Sequence, residues 1–172
     1  TAKANPDGHT LLVVSMMTAV SLPYLQKTLP YKLDDLMLLN RFATTPMVLS
    51  MHPSVPATTL KELVVYAKAN PGKLNYGSAG VGQTFHLAME MLRARTGADL
   101  THIPYKGTGP ALQDLYGGRL EVMFYPASSQ LTGYVKEGKL RVIGTVSKKR
   151  LPNLPDVPTF EESGITNFDV TG

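Results

Sequence analysis

The chain has 172 residues, a formal net charge of +4, no cysteine and no tryptophan. Hydrophobic residues make up 43% of the chain and charged residues 17%, which excludes a disordered, highly charged chain. Without cysteine the chain can form no disulfide, thiolate metal site or cysteine nucleophile. The basic excess is small and its densest run is Lys148 to Arg150, so the composition does not favour nucleic-acid binding. The longest uncharged stretch, residues 10–26, is interrupted by polar residues and a proline and predicts no membrane span.

The first 45 residues predict part of a lobe. Residues 1–4 are typical of the end of a helix and residues 5–8 of the turn after it, so we expect further sequence upstream. An apolar run at residues 11–14 predicts a buried strand of a parallel sheet, and a polar loop follows it. Residues 36–42 form a second strand-like run.

From residue 59 to residue 146 the pattern alternates regularly between helix and strand. Thr59 and Glu62 have the spacing of a capping box, and Gly97 is placed to end the following helix. This alternation predicts an α/β lobe whose sheet is mostly parallel. Strands are predicted at residues 47–51, 74–77, 100–104, 120–125 and 140–146. Beyond them we predict a traversing loop at 147–158, a short helix at 159–163 and a final strand at 168–170.

Three predicted loops follow the carboxyl ends of strands, where open α/β sheets bind their ligands. In the first, residues 77–82, three glycines let the backbone approach a ligand, and the amides of the next helix start attract an anion. Ser78 and Thr84 add hydroxyl donors to that loop. A tight turn followed by an N-cap accounts for the same residues, so both interpretations stay open.

The other candidates are weaker. Lys106, in the loop at residues 104–109, can pair with an anion, although a loop lysine is commonly just solvated. The loop at residues 125–129 places two serines at a helix start, where capping explains one of them. His86 falls in the first turn of a helix and either faces a cleft or is structural. The four histidines lack metal-ligand spacing and no carboxylate pair lies on these loops, so no metal, cofactor or catalytic set is predicted.

Several stretches together resemble the Bug (Bordetella uptake gene) family, the periplasmic substrate-binding proteins of tripartite tricarboxylate transporters. They occur in family order along nearly the whole chain: NPDGHTLL (5–12), KEL (61–63), NPGKLNYGSAG (70–80), HIPYKG (102–107), PALQDL (110–115), GKLR (138–141) and LPDVPT (154–159).

The resemblance implies a type II periplasmic-binding-protein (Venus flytrap) fold and a periplasmic location. It implies a monomer without catalysis or cofactor, which captures a small carboxylate and delivers it to the membrane permease subunits of the transporter. On this interpretation the chain is a truncated copy. Residues 1–45 are part of lobe one, residues 46–146 are a complete lobe two, and residues 147–172 return to lobe one.

The resemblance also implies a set of ligand-binding positions. They are Ser15, Met16 and Thr18 in lobe one, and Ser78, Ala79, Gly80, Thr84, His86 and Tyr125 in lobe two. Many family members have aspartate where this chain has Tyr125, which suits an ammonium group. Its absence indicates a ligand without an amine, such as an aromatic or apolar carboxylate that contacts Tyr125 and Met16.

Two other functions stay open at this stage. The first is the effector domain of a LysR-type transcription regulator, which shares the flytrap architecture and would be preceded by a helix-turn-helix. The second is an α/β enzyme that uses Ser78 or His86, for which the sequence offers no evident base and orienting group.

Overall fold

A computed structural model of the chain describes residues 2–14, 22–41, 43–168 and 170. The chain divides into two compact units, and the boundary falls between Thr44 and Thr45. In the first unit the described residues form helix α1 (Leu22–Leu25) and a single 3₁₀ turn (Leu33–Asp35).

The first unit exposes apolar residues that the sequence pattern predicts to be buried. Leu11 and Val13 are 73% and 77% exposed, and Met37, Leu38 and Leu39 are exposed as well. None of them lies in a strand, so the strands predicted at 11–14 and 36–42 are wrong for the described residues. An apolar run becomes a strand only when a neighbouring strand pairs with its backbone and a second layer covers its side chains. The described part of this unit supplies neither.

The second unit is a five-stranded sheet with helices on both faces. The strands are β1 (Met47–Met51), β2 (Asn75–Ser78), β3 (Thr101–Pro104), β4 (Val122–Pro126) and β5 (Arg141–Thr145). The helices are α2 (Leu60–Ala69), α3 (Thr84–Thr96), α4 (Thr108–Tyr116) and α5 (Ser129–Lys136). These elements match the predicted ones with ends shifted by a residue or two.

The strand order is β3-β2-β4-β1-β5. Strand β2 pairs in parallel with β3 and β4, whereas β1 runs antiparallel to both of its neighbours, β4 and β5. The prediction of a mostly parallel α/β sheet is therefore confirmed, with β1 as the exception. Parallel neighbours bring the carboxyl ends of β2, β3 and β4 to one edge of the sheet.

Alternate residues of β4 belong to the two different faces of the sheet. Val122 and Phe124 pack with residues of α2 and α3, whereas Met123 and Tyr125 pack with residues of α4 and α5. All four side chains are buried. This double burial explains why β4 reads as a continuous apolar run and not as an alternating one.

The end of the described chain belongs to the second unit and packs on both faces of its sheet. Leu151 joins the cluster on the α4/α5 face, and Phe160 and Phe168 join the cluster on the α2/α3 face. The helix predicted at 159–163 is a turn, because Gly164, with a φ of 89°, ends it within one turn of its start at Thr159. The final strand predicted at 168–170 is also wrong for its described residues. A return of residues 147–172 to lobe one stays a prediction.

Candidate functional site

The junction between β2 and α3 leaves the start of α3 open. Gly80 and Gly82 have φ values of 139° and 77°, which a residue with a side chain rarely adopts. Gln83 is the N-cap residue of α3 and makes no side-chain cap hydrogen bond. The first-turn amides of a helix have no intrahelical acceptor, and no described side chain caps them here, so they can bind an anion.

The hydroxyl of Ser78 holds the loop from within. Ser78 is fully buried, and its Oγ donates to the carbonyl of Gly80 at 3.1 Å. The amide of Gly80 donates back to the same Oγ at 3.2 Å. The third contact is with Nε2 of His102, at 2.7 Å. These bonds fix where the chain turns between β2 and the open helix start.

Three rings form what we call the histidine cluster, made of Tyr76, His86 and His102. Tyr76 and His102 pair across β2 and β3 and stack with ring centroids 4.8 Å apart. The rings of His86 and His102 are 4.3 Å apart. Nδ1 of His86 accepts a hydrogen bond from the amide of Gly82 at 3.1 Å. The cluster therefore holds the loop at both ends, through His102 to Ser78 and through His86 to Gly82.

An ion pair on α3, between Glu90 and Arg93, contacts the histidine cluster through Tyr76. The hydroxyl of Tyr76 donates to Glu90 Oε1, and Arg93 contacts the same oxygen at 2.6 Å. Burial and the contact with Glu90 raise the pKa of Tyr76 well above its ordinary range. Burial opposes the ionisation of Glu90, but hydrogen bonds from Tyr76 and Arg93 outweigh it and lower the pKa of that carboxyl.

The same surroundings keep His102 uncharged. Burial, and next the nearby His86, lower the pKa of His102 below its ordinary value of 6.5. At neutral pH the imidazole is therefore a neutral hydrogen-bond partner for Ser78.

The structure places the predicted lobe-two residues in two groups. Ser78, Ala79, Gly80, Thr84 and His86 lie together at the β2–α3 junction. Of these, Ser78 is buried and the other four are partly buried.

Tyr125 lies on β4 instead and packs with the α4/α5 cluster, 8% exposed, with its hydroxyl 3.3 Å from Gln130 Oε1. Ser15, Met16 and Thr18 lie outside the described residues, so their predicted role stays a prediction.

Sequence reasoning missed Tyr76 and His102 as parts of this site. His102 stands far along the chain from Ser78, and their contact depends on the register between β2 and β3, where Ser78 pairs with Pro104 and Tyr76 with His102. The available signal was that both residues lie in adjacent predicted parallel strands, two residues or fewer from their carboxyl ends.

The chemistry available at this junction is hydrogen bonding to an anion. Among the described residues no group of three or more histidine, aspartate or glutamate side chains is placed to hold a metal ion. The Ser78–His102 pair has the atoms of a nucleophile and its base, but the Ser78 hydroxyl is fully buried and already bonded to Gly80. Such a hydroxyl stabilises a loop and is not accessible to a substrate.

Comparison with known proteins identifies the family. The sequence model of a protein family, described as the tripartite tricarboxylate transporter family receptor, matches residues 1–172. Protein BugT of Bordetella pertussis is 35% identical over 172 residues, a match that covers 98% of this chain and 52% of BugT. The chain spans about half the length of the curated relatives it matches.

Solved structures agree with this assignment. MatC of Rhodopseudomonas palustris, solved with bound malate, is 32% identical and superposes with a TM-score of 0.85 over 99% of this chain and 58% of MatC. Rpa4515 of R. palustris, solved with adipate, is 34% identical with a TM-score of 0.69 over 75% of this chain and 43% of that chain.

The family places the chain among periplasmic binding proteins. Among the described residues, no helix combines the length and the apolar character needed to cross a membrane. The matched family is one of substrate receptors, and the predicted Bug resemblance and flytrap-type fold are confirmed. The chain therefore belongs to the tripartite tricarboxylate transporter receptor family, the Bug-type solute-binding proteins.

Proposed function

We propose that the protein is a periplasmic, monomeric solute-binding protein that captures a small carboxylate and delivers it to the permease subunits of a tripartite tricarboxylate transporter. The observation that carries this proposal is the open start of α3, where Gln83 provides no side-chain cap after a loop with two left-handed glycines. A carboxylate oxygen would take the place that a capping side chain takes in other helices.

The energetics of such a site favour binding without a cationic side chain. Each hydrogen bond from an amide or hydroxyl to a carboxylate contributes about 1.5–3 kcal/mol. The amides at the start of α3 are the donors, and the hydroxyl of Thr84, partly buried in the first turn, is a further one. The positive end of the α3 dipole adds to the attraction.

We infer further that the ligand lacks an amine. Neither the loop nor the first turn of α3, residues 78–87, contains a carboxylate that could pair with an ammonium group. The described relatives MatC and Rpa4515 hold malate and adipate, which are dicarboxylates without an amine. Tyr125, 8% exposed, lies near the end of the neighbouring strand β4, where its ring would offer the ligand an apolar surface. We therefore propose a non-amino carboxylate, with an aliphatic or aromatic body.

The experiment is a titration followed by NMR of the 172-residue chain with malate, adipate, benzoate, aspartate and glutamate. We expect shifts of the residue 79–86 amides with the first three ligands and smaller ones with the two amino acids. Binding of an amino acid in preference to all three amine-free acids would overturn the ligand class. No shift in this loop with any carboxylate would overturn the site.

A matched pair of variants tests the loop directly. Ser78→Ala removes the hydroxyl that fixes Gly80, so we expect weaker carboxylate binding. Ser54→Ala removes a serine hydroxyl that contacts His52 just after β1, at the opposite edge of the sheet, and should leave binding unchanged. Equal affinity of the two variants would count against the Ser78 loop.

The regulator and enzyme alternatives gain no support from these observations. The family match is to transport receptors, and the hydroxyl that an enzyme would use is buried.

A further inference from the structure

His102 is the partner that reaches the Ser78 hydroxyl from another strand. The other two contacts of Ser78 Oγ are with the backbone of Gly80, two residues along the same loop. Among the described residues, His102 therefore supplies the link between this loop and the rest of the sheet through the Ser78 side chain. Its ring packs against the rings of both Tyr76 and His86, whose centroids lie 4.8 Å and 4.3 Å away.

We propose that His102 is a positioning residue, whose hydrogen bond to Ser78 fixes the loop at residues 78–82 in the conformation that opens the start of α3 to a carboxylate. This inference rests on the proposed function, because it names a residue that acts through the loop and does not touch the ligand.

The hydrogen-bond arithmetic of Ser78 supports this role. A serine hydroxyl has one proton to donate and two lone pairs to accept with. It can donate to the Gly80 carbonyl, accept from the Gly80 amide, and accept from a protonated Nε2 of His102, which satisfies all three contacts at once. Loss of His102 leaves a fully buried hydroxyl with contacts inside its own loop. The side-chain tie between the loop and β3 is then lost, and the backbone bond from the Tyr105 amide to the Ser78 carbonyl remains.

The charged and titratable groups around His102 explain why its protonation matters. Tyr76 faces it from β2, and His86, Glu90 and Arg93 face it from α3. A second proton on His102 would place a positive charge beside His86, with ring centroids 4.3 Å apart. We therefore expect the conformation of the loop to change when His102 titrates. A residue that only fills space would not produce such a change.

The test uses NMR of the 172-residue chain with two substitutions and a control. His102→Leu removes the hydrogen bond to Ser78. His102→Gln keeps an amide group near the place of Nε2 but does not titrate. His9→Gln is the control, because His9 is an exposed histidine of the first unit.

Amide exchange and the pH profile are the direct readouts. We expect the Gly80 amide to exchange about fivefold faster in His102→Leu, the factor that loss of one ordinary hydrogen bond gives. His102→Gln and His9→Gln should stay close to wild type. The Gly80 amide shift should follow the titration of the His102 ring in wild type and lose that dependence in His102→Gln. Unchanged exchange in His102→Leu, or a His102→Gln variant as disturbed as His102→Leu, would overturn the proposal.

Adipate titration separates this inference from the proposed function. We expect about fivefold weaker binding for His102→Leu, by the same loss of one hydrogen bond, and near-normal binding for His102→Gln. If wild type binds adipate and His102→Leu binds it equally well, the positioning role fails and the function stands. If wild type binds no carboxylate while the exchange results hold, the function fails and the role in the loop stands. Should His102→Leu not fold, the pH profile of His102→Gln against wild type decides.

Discussion

Two neighbouring junctions of the same sheet begin their helices in opposite ways. At the β4–α5 junction, Ser128 is the N-cap residue and its hydroxyl accepts a hydrogen bond from the Leu131 amide at 3.3 Å. At the β2–α3 junction, Gln83 takes the same position and its side chain makes no such bond. Strands β2 and β4 are adjacent and parallel, so both helix starts lie at the same edge of the sheet.

On the proposed function, this difference distinguishes a helix start that is capped for stability from one that binds a ligand. A side-chain cap contributes about 1 kcal/mol to stability and occupies an amide that an anion would otherwise use. The α5 start has that stability. The α3 start lacks that contribution. The histidine cluster holds its loop instead, and the first-turn amides stay open.

The largest expected effect is a loss of stability when a methyl group is added to Gly77, where β2 packs closely. In Gly77→Ala the new Cβ would lie 2.4 Å from Cδ2 of the buried Leu120, so we expect a loss of about 1–3 kcal/mol in the free energy of unfolding. Gly133→Ala in α5 is the control, because a Cβ there meets no atom of the described residues within 4 Å and alanine favours a helix. Denaturant unfolding of both variants checks this, and equal stability would show that β2 has no close packing to lose.

The next effect comes from capping the open start. Gln83→Asp should stabilise the chain by about 1 kcal/mol, because aspartate is a good N-cap residue. It should weaken carboxylate binding about tenfold or more, since it occupies an amide and adds a negative charge beside the ligand. Isothermal titration calorimetry and thermal unfolding measure the two quantities. A gain in stability without a loss of affinity would place the ligand elsewhere.

Removing the Ser128 cap of α5 should lower stability without affecting binding. Ser128→Ala should cost about 1 kcal/mol in the free energy of unfolding, because the Leu131 amide loses its acceptor. Gln83→Ala should cost little, because no cap bond is lost there. Although Ser128→Ala lowers the stability of the chain, it should leave the affinity for a carboxylate unchanged. A similar stability loss in both variants would contradict the distinction between the two junctions.

The smallest effect is a pH dependence confined to the β2–α3 junction. Since burial and His86 lower the pKa of His102 below 6.5, the unfolded chain takes up this proton at a higher pH than the folded chain. The free energy of unfolding should therefore fall as the pH drops through 6.5, and it should level off with respect to this group once the pH is below the lowered pKa of the folded chain. His102→Gln should reduce that slope in urea unfolding series. An identical slope in both proteins would show that His102 titrates normally.

Most helices and strands of the second unit could be predicted because their signals are local. The capping box at Thr59, the left-handed Gly97 and the periodic apolar residues each fix an element without reference to the rest of the chain. The antiparallel direction of β1 could not be predicted, because strand direction depends on pairing with β4 and β5, which come much later in the chain.

The same limit applies to the candidate site. The glycines and the serine of the β2–α3 loop could be identified from the sequence, because a turn between a strand and a helix requires such residues at those positions. His102 was not assigned to the loop, because its contact with Ser78 depends on the register of two strands. The apolar run at residues 11–14 misled the prediction for a related reason. Its burial depends on partners that the run itself does not specify.

The position of β1 has a consequence for how the chain folds. It is the first strand of the sheet to be made, yet it sits between β4 and β5, and Met51 pairs with Val122 across the whole stretch that forms α2 to α4. Contacts so distant in sequence slow folding, because a long loop must close before they form. During synthesis, β1 has both edges unpaired until β4 and β5 emerge. A nascent chain that ends before Arg141 would expose an apolar strand edge and should be prone to aggregate.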